Sequence, residues 1–216
     1  MRFFAAMMTS LFAAAMVPIA AASAEPVTLV ALGDSLTAGY GLPPGDGFPD
    51  KLQAALKERG HDVIVIDAGV SGDTSSGGLA RLDWSVGEAA DGVILELGAN
   101  DALRGIRPED TRRNLAAILD RLKERGLPVL IAGMLAPPNM GPEYERDFNP
   151  IYPELAKEYD ARLYPFFLDG VAGTPSLNLS DGMHPTSQGV DVIVSRILPE
   201  VEALIAKIAE PAAPKD

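Results

Sequence analysis

The chain contains no cysteine. That excludes disulfides, thiolate metal sites and a cysteine nucleophile, so the fold must rest on its core alone. Histidine is almost as scarce. His61 and His184 are the two in 216 residues, and they are the whole supply of side chains that titrate near neutrality unperturbed. Basic charge is short as well, with 18 Lys and Arg against 30 Asp and Glu. A chain with that deficit lacks the cationic surface that nucleic acid requires, and anionic lipid repels it. There is no G-x-G-x-x-G turn and no P-loop, so the usual cradles for flavin, dinucleotide or nucleotide phosphates are missing. Internal repeats, low-complexity tracts and long linkers are absent too. Apolar residues, by contrast, are plentiful: 47% of the chain is hydrophobic, enough for one domain with a substantial core.

The longest apolar stretch lies at the start. Arg2 precedes an apolar run from Phe3 to Ala22, interrupted by Thr9 and Ser10, and Ala22-Ser23-Ala24 offers small residues to a signal peptidase. The expectation is a signal peptide over 1–24 and a folded domain over 25–216, periplasmic or secreted. The alternative is an uncleaved anchor helix, because the apolar span is close to membrane length. Loss of Arg2 takes the basic count from 18 to 17 against 30 acidic residues, a net charge of −13.

Beyond the leader, apolar runs alternate with helical patterns. Strands are expected at 27–32, 63–66, 92–97, 128–134 and 162–167, from β-branched or continuous apolar runs. Helices are expected at 49–59, 75–82, 108–125, 151–159 and 187–209, with Pro199 marking a bend or break in the last. A helical turn is expected at 36–40, a long loop at 135–150 with a short turn at 143–147, irregular chain at 170–186, and a tail at 211–216. Such alternation predicts an α/β domain whose parallel sheet is covered on both faces. Ligand sites in such sheets lie at the carboxyl ends of the strands. Turns containing Ser35, Gly72 and Asn100 each follow a strand in that sense.

Ser35 sits in Gly33-Asp-Ser-Leu36, where the first strand ends. It has two readings: a helix cap, or a nucleophile held in a tight turn beside free backbone N–H groups. A serine nucleophile needs a base, and the base needs an orienting group. His61, between a helix end and a strand, reads as a surface histidine. His184 follows Asp181 by three residues in a polar loop, a spacing that lets the carboxylate meet the imidazole locally. Gly72 can bring its N–H close to a ligand, and Asn100 carries a side-chain amide, so both are candidate oxyanion donors; each also suits an ordinary turn. Asp34 and Asp101 are expected to brace their turns.

These residues resemble the SGNH hydrolases, also called the GDSL esterase/lipase family. Gly33-Asp-Ser-Leu36, Ser71-Gly-Asp-Thr74, Gly98-Ala-Asn100-Asp101 and Asp181-Gly-Met-His184-Pro185 match its four blocks in order, with Ala99 where glycine is commoner. The longer segments 72–82, 95–105 and 151–159 resemble the bacterial TesA-type thioesterase/lysophospholipase/arylesterase group. The resemblance implies a flavodoxin-like three-layer α/β/α sandwich with a five-stranded, mainly parallel sheet. It also implies hydrolysis of acyl esters and thioesters without metal or cofactor. On this reading Ser35 attacks, His184 is the base and Asp181 orients it. The Ser35 and Gly72 N–H groups and the Asn100 side chain would form the oxyanion hole. The partner it implies is a small-molecule or lipid acyl ester or thioester, with no stable membrane insertion and no obligate protein partner expected. Two rivals remain, a carbohydrate O-acetyl esterase and a non-catalytic binding module on the same scaffold.

Overall fold

The computed structural model describes residues 25–210. The expected leader at 1–24 and tail at 211–216 lie outside them. Five strands form one sheet: β1 (Val27–Gly33), β2 (Val63–Gly69), β3 (Gly92–Glu96), β4 (Val129–Ala132) and β5 (Arg162–Tyr164), in the order β2-β1-β3-β4-β5. Every pairing is parallel. The apolar runs account for this, since the strands in the middle of a sheet covered on both faces meet no water. All five residues of β3 and all four of β4 are buried.

The helices are α1 (Phe48–Glu58), α2 (Ser75–Ala80), α3 (Leu82–Ser85), α4 (Ala99–Leu103), α5 (Pro108–Glu124), α6 (Pro142–Phe148), α7 (Ile151–Tyr159) and α8 (Ser187–Ala209). On one face α8 packs against α1 and reaches β3, β4 and β5. On the other, α7 lies on β4 and β5, and α5 packs against α7 and α2. The result is the expected three-layer α/β/α sandwich. α8 buries Val190, Ile193, Val194, Ile197, Leu198, Val201, Leu204 and Ile205. The spacing of three and four residues makes one apolar stripe. Truncating such a buried Leu or Ile to Ala typically costs about 2–5 kcal/mol.

Several expected boundaries shift, for physical reasons. α8 runs unbroken through Pro199. The proline removes one backbone donor, but Ile197, Leu198 and Val201 are buried on either side and hold both halves on the sheet. β2 continues past Ile66 because its pairing with β1 continues, Ala31 opposite Asp67 and Gly33 opposite Gly69. β4 and β5 stop earlier than their apolar runs. Met134 and Phe167 are core residues carried on loops, so apolar character there marks burial and not extension. Residues 36–40 form successive turns rather than a helix, and 99–103 form the short helix α4 rather than a plain turn.

Register places the site. Gly33 pairs with Gly69 on one side and with Glu96 on the other. The carboxyl ends of β1, β2 and β3 are therefore level, and the turns after them converge. The chain leaves β1 toward β2 on one side and later builds β3, β4 and β5 on the other, so β1 and β3 flank the switch point where ligands bind in open α/β sheets. Among the described residues no helix is long and apolar enough to cross a membrane.

Candidate active site

The turn after β1 presents Ser35. Leu36 N–H donates to Asp34 Oδ1 at 3.0 Å, Ala38 N–H to the Asp34 carbonyl at 3.0 Å and Tyr40 N–H to the Ser35 carbonyl at 3.0 Å. This bonding holds Ser35 at the apex. Gly33 is required beneath it, because a Cβ there would run into Thr37 and Glu96.

His184 arrives from the opposite end of the chain on a loop clamped at both sides. Asn178 and Pro185 form an isolated bridge, and Asn178 Nδ2 donates to the carbonyls of Val171 and Thr174 at 2.8 and 2.9 Å. The Thr186 hydroxyl then caps α8 by accepting from Gly189 N–H at 3.2 Å. Within the loop, Asp181 Oδ1 accepts from Met183 N–H at 2.9 Å and His184 N–H at 3.0 Å. Its Oδ2 lies 2.7 Å from His184 Nδ1, and His184 Nε2 lies 2.9 Å from Ser35 Oγ. The backbone donors at His184 and Met183, joined by the His184 side chain, pull the Asp181 carboxyl down to about 2. An ionised carboxylate only accepts, so Nδ1 carries the proton and Nε2 is free to accept from the Ser35 hydroxyl. The Tyr40 ring packs on the imidazole with centroids 4.6 Å apart, tilted by 40°.

Gly72 lies in the turn after β2 with φ +85°, a left-handed conformation that favours glycine. Arg104 Nη2 donates to its carbonyl at 2.7 Å, leaving its N–H uninvolved in that contact. Arg81, which carried no sequence signal, fixes this turn to β1. It donates to Asp73 at 2.6 Å, to the Ala68 carbonyl at 2.8 Å and to the Gly33 carbonyl at 2.8 Å. Asn100 stands in the first turn of α4, and its Nδ2 donates to Asp34 Oδ2 at 2.9 Å. Asp101 is fully buried and structural. It accepts from Ser75 N–H at 2.7 Å, from the Ser75 hydroxyl and from Thr111 Oγ1 at 3.0 Å, tying α2, α4 and α5 together.

Glu96 also belongs to this cluster; its one signal in the sequence is that it is a lone acid inside the apolar run 92–97. It is 1% exposed at the end of β3, and its Oε2 accepts from Thr37 Oγ1 at 2.8 Å and Asp34 N–H at 3.3 Å. Its Oε1 is buried with no partner among the described residues. Burial first, then the neighbouring Asp34 charge, pushes its carboxyl well up. Asp34, 0% exposed, is likewise raised by burial, to about 6, against the opposing pull of Leu36 N–H, Asn100 and His184. His61 stays apart from the site, 3.1 Å from Glu202 on α8.

A cavity of about 700 Å³ opens over this cluster. Ser35, Gly72, Asn100 and His184 line it, with Leu103, Met134, Leu135, Phe166, Leu168 and Met183 among its apolar walls. Among the described residues no group of three His, Asp or Glu is placed to hold a metal ion.

Known proteins match this arrangement. A model of the GDSL-like Lipase/Acylhydrolase family matches residues 31–192. The arylesterase of Vibrio mimicus is 40% identical over 184 residues, 85% of this chain and 92% of that protein. The thioesterase 1/protease 1/lysophospholipase L1 of Escherichia coli is 36% identical over 179 residues, 82% of this chain and 85% of that protein. A crystal structure of TesA superposes with a TM-score of 0.78 at 38% identity, covering 82% of this chain and 99% of that one. With the family match spanning most of the described residues and the candidate residues Ser35, Asp181 and His184 assembled beneath the cavity, the chain belongs to the GDSL-like lipase/acylhydrolase family and is an ester-cleaving serine hydrolase.

Proposed function

We propose that the protein hydrolyses acyl esters and thioesters through an acyl-enzyme on Ser35. The observation that carries this reading is the unbroken Asp181–His184–Ser35 hydrogen-bond chain, with links of 2.7 and 2.9 Å, at a cavity with apolar walls. Ser35 Oγ attacks the acyl carbonyl carbon as its proton passes to His184 Nε2. The oxyanion is met by the N–H groups of Ser35 and Gly72 and by Asn100 Nδ2. Collapse expels the alcohol or thiol, which leaves with the proton from Nε2. Water then adds to the acyl-enzyme with His184 again as base, and the free acid departs. Asp181 holds the tautomer and offsets the imidazolium charge. These groups complete the chemistry without a metal or cofactor.

The apolar walls favour an acyl chain, from a small-molecule or lipid ester or thioester, over an acetyl group on a sugar. No obligate protein partner is called for. The leader reading places the enzyme in the periplasm or outside the cell after cleavage near Ala24, with 25–216 as the hydrolase domain.

Ser35→Ala is expected to lower kcat by about 10⁴ to 10⁶ with the fold intact. An alkyl phosphonate should label Ser35 alone. p-Nitrophenyl esters of increasing acyl length separate the alternatives: turnover that extends past acetate supports the reading, and acetate-only turnover replaces it with the O-acetyl esterase. Retained activity in Ser35→Ala, or no turnover of any ester by the native enzyme, would sink it.

A further inference from the structure

The base has a neighbour outside the triad. The Tyr40 ring lies against the His184 imidazole, centroids 4.6 Å apart and tilted by 40°. Tyr40 belongs to the same turn as the nucleophile, and its N–H donates to the Ser35 carbonyl at 3.0 Å. The next residue, Gly41, packs so close to the His184 loop that a Cβ there would stand 2.8 Å from Leu179 Cδ1. Leu179 N–H in turn donates to the His184 carbonyl at 2.7 Å. The contact is therefore built into the backbone of both segments, although the Tyr40 side chain is half-exposed at the cavity. We infer that Tyr40 is a positioning residue for the base: its ring face holds the imidazole in line with Ser35 and is matched to the imidazolium that forms as the proton leaves the serine. The inference rests on the serine hydrolase reading above and deepens it, giving a task to a side chain outside both the triad and the oxyanion hole.

The edges and faces of the imidazole explain the need. Both nitrogens are engaged at the ring edge, Nδ1 with Asp181 Oδ2 at 2.7 Å and Nε2 with Ser35 Oγ at 2.9 Å. The charge of an imidazolium is spread over the whole ring, so its faces carry part of it. The His184 side chain is only 17% exposed, which leaves little water to solvate them. An aromatic face is negative, and a cation within about 6 Å of its centroid is attracted to it. Neutral imidazole gains little from the same contact beyond packing. The electrostatic part therefore appears when His184 takes the proton, in the transition states of acylation and deacylation, and not in the ground state. The charges that face His184 are the carboxylates of Asp181, on its own loop, and Asp34, in the β1 turn. Both act whichever aromatic ring stands at position 40, so a change confined to that ring isolates its share.

A ring series makes that change at nearly constant shape. Tyr40→Phe keeps the face and is expected to hold kcat on a soluble ester within about threefold of native. From that reference, mono-, di- and trifluorinated phenylalanines at position 40 drain the face of negative charge stepwise. kcat should fall at each step, to about 3- to 10-fold below Tyr40→Phe for the trifluorinated ring, with KM within about twofold. Tyr40→Leu removes the face altogether and should cost about 5- to 30-fold in kcat. The rate of inactivation by an alkyl phosphonate should fall in step, because attack by Ser35 on phosphorus also passes its proton to His184.

A flat fluorine series, whatever the rate of Tyr40→Leu, reduces Tyr40 to packing. A series that moves only KM makes it a substrate contact, and a large loss in Tyr40→Phe transfers the role to the hydroxyl. Each of these results overturns the inference and leaves the nucleophile standing. A native enzyme that turns over no ester and takes no phosphonate on Ser35 overturns the hydrolase reading, and this inference with it.

Discussion

Two acids flank Ser35, and the protein treats them in opposite ways. Asp181 sits on the His184 loop with its side chain 33% exposed, accepts two backbone N–H bonds and one from the imidazole, and is pulled down to about 2. Asp34 sits in the β1 turn, accepts from one backbone N–H and one amide, and is raised to about 6. The donor sets are similar. Solvent is the difference, since Asp34 is 0% exposed and burial is the largest cause of its raised carboxyl. Hydrogen bonds favour the charged form at both sites, and desolvation outweighs them at one. The lesson is a division of labour. The acid that would counter a transient imidazolium in the proposed mechanism is the one held ionised down to about 2. The acid bound to the Asn100 amide sits much closer to neutralisation.

The sharpest way to break this contrast is Asp181→Asn. The amide can donate to Nδ1 and stabilise the unproductive tautomer, so kcat should fall by about 10⁴, as for the equivalent change in other triads. Wild-type Asp181 stays ionised down to about 2, so this carboxylate does not account for an activity loss between pH 4 and 7. A pH–rate profile of both proteins on one soluble ester checks this. A variant near the wild-type rate would remove Asp181 from the site.

Asn100→Ala strikes the other side and should do less. If Asn100 has its proposed role, a loss of about 10² to 10³ in kcat with KM nearly unchanged is expected, because an oxyanion donor binds the oxyanion more strongly than the ground-state carbonyl. Steady-state kinetics decide it. A change confined to KM would make Asn100 a substrate-binding group.

Glu96→Gln gives the smallest effect, read in stability. Folding raises the Glu96 pKa, so the folded protein holds a proton that the unfolded chain releases above about 4.3. The stability this contributes is full below the unfolded value and is lost as pH rises toward the folded one. Glutamine has nothing to titrate, so that slope disappears. The variant should gain Tm relative to wild type as pH increases from 5 to 8, by about 2–4 °C for each kcal/mol regained. Melting curves at several pH values test this. A difference in Tm that does not change with pH would show that Glu96 is charged in the fold, against the contrast drawn here.

Much of the site was legible because its signals are local. Asp181 and His184 are three residues apart, and their bond forms within one loop. Ser35, Gly72 and Asn100 each stand in a polar segment just after an apolar run. Glu96 and Arg81 are not legible in this way because their contacts depend on what packs around them. An acid in an apolar run can face solvent or core, and nothing local says which. Arg81 binds carbonyls of both Ala68 and Gly33, on strands that are neighbours only in the folded sheet.

The sequence alone determined the alternation of strand and helix, hence the layered α/β architecture, and placed helices 151–159 and 187–209 to the residue. It also determined the residue types for acyl transfer and the local Asp181–His184 pairing. Tertiary structure decided the rest. It levelled Gly33, Gly69 and Glu96 at one sheet edge, and it brought His184 onto Ser35 across 149 residues. It also turned Asp34 from a turn brace into the anchor of Asn100. The physical reason is range. Periodicity, capping and short-loop hydrogen bonds act over a few residues and are written in order along the chain. Strand register and the removal of water from a carboxylate are properties of packing, and they exist only once the sheet has closed over its core.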